Sequence, residues 1–383
     1  MNIAFDVHPL LDNNKSGVGY CQYGFIKTMI KRYPDNNYIF NFFNLRNYQK
    51  KISKLNIFDD WNFIVNDCRF CNNSIYKMIW NIIPLQYSWF FGKNADITHF
   101  FNYHIPPGVK GKKVVTVHDM TYKRYPETVR LKTRKMLDVN LKRSLDRADV
   151  IITVSEFSKK EILHYFPNCE DKIEVVYNGV DLTRFNANID KISQIQIKNK
   201  YKIDGKYLLY LGTIEPRKNI ERLIESYYLV NKELSDAPKL VLAGGKGWMY
   251  DDIFKKVDKL KLKDKVIFTG YIEDEDVPVL IKGAMIFLFP SIYEGFGMPP
   301  LEAMACGTPV LTSNISSLPE VAGDSGVLVD PFSKESMKDG ILKLLNDDNL
   351  RQELSIKGQE RAKLFSWTRV TEKLYNIYQG LMR

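Results

Sequence analysis

Short apolar runs rich in Val, Ile, Leu and Phe recur along the chain, separated by stretches in which apolar residues return every three or four positions. The runs read as buried strands and the spaced stretches as amphipathic helices, the alternation that parallel α/β layers require. In the first half the pattern predicts strands at 3–7, 38–43, 97–101, 114–117 and 150–154. Between the last two, Leu137, Leu141 and Leu145 mark one face of a helix. A polar, Asn- and Lys-rich stretch at 181–205 then interrupts the series and reads as a connection between domains. A second series follows at 207–211, 240–243, 266–269, 286–289, 310–312 and 327–329, with helices expected at 219–234 and 335–345.

Right-handed crossovers would make each half a doubly wound, Rossmann-like sheet. The domains are expected at 1–183 and 184–383, with an amphipathic helix around 367–378 packing back on the first. Ligands of such sheets bind at the carboxyl ends of the strands, so two facing domains would share one cleft. A chain of 383 residues suits two domains of middling size.

Composition narrows the class. With 45% hydrophobic and 26% charged residues the chain is globular in character, and nothing in it argues for disorder. The opening Met-Asn-Ile-Ala-Phe-Asp-Val reads as a strand, not a signal peptide. No run of about 18 apolar residues offers a membrane span, and the aromatic-rich stretch 74–92 is broken by Lys77, Asn81, Pro84 and Gln86. The expectation is a cytoplasmic protein with reduced thiols, since five scattered cysteines include one C-x-x-C pair, Cys68 and Cys71, and no second pair to complete a zinc site. Most of the net charge of +10 falls in residues 1–183, where 26 Lys and Arg face 18 Asp and Glu. Nine bases against three acids between 123 and 147 could meet an anionic lipid surface or a phosphorylated substrate; no nucleic-acid module accompanies them, so no nucleic-acid partner is expected. Peripheral contact with the inner membrane face is the corresponding expectation.

The chemistry concentrates in "PSIYEGFGMPPLEAMACGTPV" at 290–310. A strand ends at Pro290, a Gly-rich loop follows, and a helix begins with Pro299 and Pro300 in its first turn, where proline is tolerated. Gly295 and Gly297 would let backbone N–H groups approach an anion, with the helix dipole adding attraction. Glu294 and Glu302 would repel phosphate and suit hydroxyl groups, a ribose diol for one and a sugar hydroxyl for the other. Arg217 and Lys218, in "LGTIEPRKN", stand where a strand hands over to a helix and could neutralise a diphosphate as its charge grows. In the first half, Gly17 and Gly19 lie in the loop from Lys15 to Tyr20 after strand one, and His118 closes the strand 114–117, where it could orient a hydroxyl or move a proton.

These residues together carry a resemblance. The chain is similar over nearly its whole length to family 4 retaining glycosyltransferases of the GT-B fold, which pair two facing Rossmann-like domains about a cleft. Glu294 to Glu302 matches the E-x7-E motif of that family, supported by "TVSEFSK" at 153–159, "VYNGVD" at 176–181 and "LPEVAGDSGVLVDP" at 318–331. The resemblance implies that Arg217 and Lys218 bind the donor diphosphate, Glu302 the nucleotide ribose, and Glu294 the region of the transferred sugar. It also implies that the amides of Phe296 and Gly297 meet the sugar or phosphate, and that Gly17, Gly19 and His118 match the first-domain loop and the strand-end His. The chain departs at Thr213, where many relatives carry a basic residue.

The expected reaction moves a hexose, with retention, from a nucleoside diphosphate-sugar to a saccharide or lipid-linked acceptor in cell-surface polysaccharide synthesis. "EPRKN" leans the donor towards GDP-mannose; UDP-hexoses and deoxythymidine-diphosphate rhamnose stay open. Asp274-Glu275-Asp276 fits the letters D-x-D but follows Glu273 in what reads as a solvated turn, so neither a metal nor another cofactor is expected. A sugar-nucleotide epimerase and a non-catalytic nucleotide-sugar-binding protein are the rival readings; only the transferase needs an acceptor.

Overall fold

The computed structural model describes residues 1–11, 17–45, 48–58, 61–80, 83, 85–245 and 251–383. They divide into two compact units, one of Met1–Gly179 with Trp367–Arg383 and one of Val180–Ser366.

Among the described residues, unit 1 holds strands β1 (Asn2–Asp6), β2 (Asn37–Phe43), β3 (Ile64–Cys68), β4 (Ile97–Phe100), β5 (Lys112–Val117), β6 (Val150–Thr153) and β7 (Ile173–Val175). All pair in parallel, in the order β3-β2-β1-β4-β5-β6-β7. Both faces are covered, so central strands bury apolar residues such as Ile3, Phe5, Phe40, Val114 and Ile151, and the buried polar His99 of β4 is bonded to Tyr378 and Thr116. The sequence pattern did not show β3, whose Ile64 and Val65 lie exposed at the sheet edge, nor β7, which has only three residues. Within the stretch 74–92, Tyr76, Trp80, Tyr87 and Phe91 are buried against one core while Trp89 is 68% exposed; Asn81 and Pro84 fall outside the described residues.

Unit 2 holds β8 (Tyr207–Leu211), β9 (Lys239–Ala243), β10 (Val266–Gly270), β11 (Ile286–Phe289), β12 (Val310–Ser313) and β13 (Gly326–Val329), parallel in the order β10-β9-β8-β11-β12-β13. The order reverses direction between β8 and β11, the switch point at which such sheets bind ligands. Each unit is thus a Rossmann-like layer of its own.

Two features differ from the sequence pattern. The stretch 181–205 is not a bare connection: it carries the helix Lys191–Lys200, capped by Asp190 and anchored by buried Ile197 and Ile203. The division also falls after Gly179 and not after 183. Asp181 caps the following turn by accepting from the N–H groups of Thr183 and Arg184, and Arg184 donates to the carbonyl of Asp274, which ties these residues into unit 2. The helix Trp367–Leu381 belongs to unit 1. Among the described residues, no helix is long and apolar enough to cross a membrane.

Candidate active site

Strand β11 is wholly buried, and the loop after it carries Glu294. Serine hydroxyls fix that loop: Ser313 donates to the carbonyl of Ser291 at 2.6 Å, and Ser317 reaches the carbonyls of Glu294 (2.9 Å) and Phe296 (2.8 Å). Gly297 then takes φ 115° as the residue before the helix Met298–Ala305, a conformation that disfavours any side chain, and Pro299 and Pro300 fill the first turn. The Phe296 ring packs edge-on against Phe365 at 5.7 Å, so this residue offers its main chain rather than its side chain.

The turn after β8 is built to meet this loop. Pro216–Lys218 form one 3₁₀ turn, and Asn219 follows in the left-handed region at φ 63°. The Asn219 side-chain amide donates to the carbonyls of Pro290 (3.1 Å) and Pro331 (2.7 Å), and the amide of Ile292 donates to the carbonyl of Arg217 at 2.9 Å. Arg217 and Lys218 are thereby delivered to Glu294. Lys218 Nζ lies 2.5 Å from Glu294 Oε1, and an Arg217 guanidinium nitrogen lies 3.1 Å from Oε2. Arg217 also pairs with Glu215 at 2.8 Å and donates to the carbonyl of Tyr293, while Lys218 lies 4.9 Å from the centre of the Phe289 ring. The sequence presents the two cations as awaiting an anion; in the structure they already neutralise two carboxylates.

Electrostatics separates the two glutamates of the motif. Burial pushes the Glu294 carboxyl up, but Arg217 and Lys218 outweigh it and hold the pKa at about 2. Lys218 is lowered, first by burial and then by Arg217, against the pull of Glu294. Glu302 goes the other way, to about 7, through burial and the nearby Asp274, opposed by Arg184. Its carboxylate has no side-chain hydrogen bond or ion pair among the described residues. Glu294 is therefore ionised at neutral pH, whereas Glu302 is poised between its forms.

His118 lies just past β5 in unit 1. Its Nε2–H donates to the carbonyl of Phe101 at 2.7 Å, which leaves Nδ1 as an acceptor, and burial holds the ring below its usual pKa. Gly17 and Gly19 are not loop residues: they sit in the first turn of the helix Gly17–Arg32, Gly17 exposed and Gly19 buried. Lys15 and Ser16 lie outside the described residues. The structure thus brings Arg217, Lys218, Glu294, Phe296, Gly297 and Glu302 together in unit 2, with His118, Gly17 and Gly19 in unit 1.

Sequence reasoning missed Glu215, Asn219 and Gly244. Gly244, at φ 139°, ends β9 so close to the neighbouring turn that a Cβ would stand 2.0 Å from the carbonyl of Gly212; the run Leu-Ala-Gly-Gly at a strand end was its signal. Asp276 is no solvated metal-site letter, being buried and bonded by Lys200 and Tyr201, each at 2.6 Å.

Residues 50–184 match the model for Glycosyltransferase Family 4, and residues 192–361 match that for Glycosyl transferases group 1. The O-antigen chain mannosyltransferase B of Escherichia coli is 36% identical over 305 residues, covering 78% of each chain. This chain belongs to glycosyltransferase family 4. A second relative of this family 4 enzyme, the serotype-specific mannosyltransferase WbdA of Escherichia coli, is 34% identical over 226 residues, which is 58% of this chain and 28% of WbdA. Among solved structures, Anabaena HepE in complex with UDP and glucose superposes with a TM-score of 0.75 at 17% identity, covering 99% of this chain and 100% of that one. The fold of the family 4 enzyme is accordingly GT-B, with two Rossmann-like domains.

Proposed function

We propose that this glycosyltransferase moves mannose, with retention, from GDP-mannose to a saccharide or lipid-linked acceptor in the synthesis of a cell-surface polysaccharide. The observation that carries the reading is the pair of cations, Arg217 and Lys218, held on Glu294 beside the helix Met298–Ala305 while Glu302 keeps an unpaired carboxylate. The mannosyltransferase relatives support the sugar.

In this reading the donor diphosphate draws on Arg217 and Lys218, which stabilise the charge that grows on it, together with the helix N-terminus. Ionised Glu302 accepts from both ribose hydroxyls. Glu294, with its pKa near 2, holds no proton to give at neutral pH and serves as a fixed acceptor for a sugar hydroxyl and as an anchor for the cations. The bond from the anomeric carbon to phosphate breaks as the acceptor oxygen bonds to the same face of that carbon. The acceptor proton passes to the departing phosphate. His118 Nδ1 takes a hydrogen bond from a donor or acceptor hydroxyl. The cations take the part that a metal takes in other transferases.

The basic stretch 123–147 suits an acceptor presented on anionic lipid: Lys132, Arg134, Lys135 and Arg143 of the helix Leu131–Arg147 are exposed. The test is one assay with labelled GDP-mannose, UDP-glucose or deoxythymidine-diphosphate rhamnose, run with EDTA, with and without a mannose-terminated saccharide on anionic or neutral vesicles. The expected product is an α-mannosyl linkage formed only with acceptor, in EDTA, and faster on anionic vesicles. A β-linkage overturns retention, and preference for another donor overturns mannose. Donor conversion without acceptor returns the epimerase.

A further inference from the structure

The turn that meets His118 is strained, and a tyrosine stands at its centre. The segment Phe101–His104 follows β4, and the N–H of His104 closes on the carbonyl of Asn102 at 2.7 Å. Between them Tyr103 holds its backbone in the left-handed region, at φ 59°. That region disfavours every residue with a Cβ, bulky ones most, and a three-residue turn with such a centre is rare. Strain of this sort persists only where the surroundings over-determine it.

Here the Tyr103 side chain and main chain are both held. The N–H of Tyr103 donates to the carbonyl of Thr116 in β5 at 3.0 Å. The hydroxyl accepts from the amide of Asp119 at 3.2 Å and donates to Asp119 Oδ1 at 3.3 Å, the oxygen that also takes the amide of Thr121 at 2.8 Å. The ring stands at 63° to the His118 imidazole, with 6.0 Å between centres. Stability alone does not call for a tyrosine, since glycine or asparagine takes this backbone at less cost.

The same turn sets the chemistry of the imidazole. Phe101, two residues before Tyr103, offers the carbonyl that takes Nε2–H of His118 at 2.7 Å. A neutral imidazole has two tautomers, and the partner of one nitrogen decides what the other can do. On the main chain, Ser158 donates to the His118 carbonyl at 3.1 Å while Tyr103 holds the next amide, so both polar groups of the peptide joining His118 and Asp119 are pinned. We infer that Tyr103 is a positioning residue for His118: it keeps the Phe101 carbonyl on Nε2 and so leaves Nδ1 bare, as an acceptor for a substrate hydroxyl. The consequence for turnover rests on the proposed transferase reading; the tautomer does not.

Nitrogen NMR on the full chain, isotope-labelled in the histidine rings, tests the lock, with the His118 signals assigned by their absence from His118→Gln. In the wild type Nε2 is expected to carry the proton and Nδ1 none. Tyr103→Gly accepts the backbone and loses the side chain. Its melting curve should stay near that of the wild type, because relief of strain offsets the lost bonds, while the two His118 nitrogens move towards a common, tautomer-averaged shift. With labelled donor and acceptor its kcat should fall about tenfold, the worth of one hydrogen bond, and its donor KM should stay within about twofold. Tyr103→Phe keeps the strained backbone and the ring without the hydroxyl; it should give intermediate shifts and turnover, and it serves as the test where the glycine variant fails to fold. A proton on Nδ1 in the wild type, or wild-type ring shifts in both variants, would each overturn the inference. Should His118→Gln turn over as fast as the wild type, the place of His118 in the transferase reading falls, and the ring shifts still decide the lock.

Discussion

Lys218 has its ammonium between the Glu294 carboxylate and the face of the Phe289 ring, so it is positioned before any donor arrives. A preorganised donor of this kind is worth most where charge develops, and losing one typically costs about 10²–10³ in turnover. Lys218→Ala should therefore depress kcat by that order while KM for the donor changes little. Glu302 should differ, because the ribose hydroxyls that the proposed reading gives it are held alike before and during transfer; Glu302→Gln should raise donor KM and spare kcat. Steady-state kinetics on the two variants checks the split, and the reverse pattern would exchange the roles. Glu302 also carries a stability signature. Its folded pKa of about 7 lies above the ordinary 4.5, so the folded state holds the extra proton between those values. Stability tied to this carboxyl is present below pH 4.5, is lost as pH rises, and is fully lost above about 7. Glu302→Gln should thus raise Tm at pH 8, by up to about 3 kcal/mol of stability, and leave it unchanged near pH 4. Thermal melts at the two pH values decide; a variant destabilised at pH 8 would mean that the carboxylate has a partner.

Asn219 joins three elements: it ends the Pro216–Lys218 turn, starts the helix Ile220–Glu233, and clamps the loops at Pro290 and Pro331 through one amide. Replacing it with Ala strains a left-handed residue by about 1–2 kcal/mol and leaves buried carbonyls short of a donor at about 1–3 kcal/mol. Asn219→Ala should cost roughly 2–4 kcal/mol in denaturant unfolding and displace both cations, lowering kcat; Asn219→Gly restores only the backbone and should fall between. Equal stability of the Ala and Gly variants would remove the left-handed strain from the account. The same residue shows what was legible beforehand. Strands β8, β9, β11 and β12 were, because their apolar runs are buried, and the edge strands β10 and β13 keep apolar runs although half-exposed; β3, Ile-Val-Asn-Asp-Cys, has no such run. The Glu294 and Glu302 loop was readable as local chemistry. That Glu294 would be the counter-ion of Lys218, 76 residues away, was not, since only the β8–β11 pairing makes them neighbours.

At the scale of the whole chain, the polypeptide leaves unit 1 at Gly179 and returns to it at Trp367, and the ends of the intervening unit, Val180 and Ser366, form a parallel bridge. The returning helix Trp367–Leu381 is part of the unit 1 core. A Cβ on Gly24 or Gly179 would stand 2.2 or 2.5 Å from the Trp367 ring, so the indole fills a slot that only glycines leave open. Phe25 meets Trp367 edge-on at 5.0 Å, Tyr375 stacks on Tyr33 at 3.6 Å, and Tyr378 shares a 2.5 Å hydrogen bond with buried His99. Burial holds the His99 pKa at about 3, so its ring is neutral, with Thr116 at the other nitrogen. Deleting 367–383 would open that core and leave His99 Nδ1 without a bond; the truncated chain should aggregate or melt far below the full chain. Trp367→Ala is the finer probe, because large-to-small changes of this kind cost about 3–5 kcal/mol. Since every one of these contacts lies inside unit 1, the variant should lower the thermal transition of that unit while GDP affinity, which the proposed donor site assigns to unit 2, stays within about twofold at temperatures below it. Calorimetry with nucleotide titration measures both; a fall in GDP affinity equal to the loss of stability would show that the two units do not fold as separate bodies.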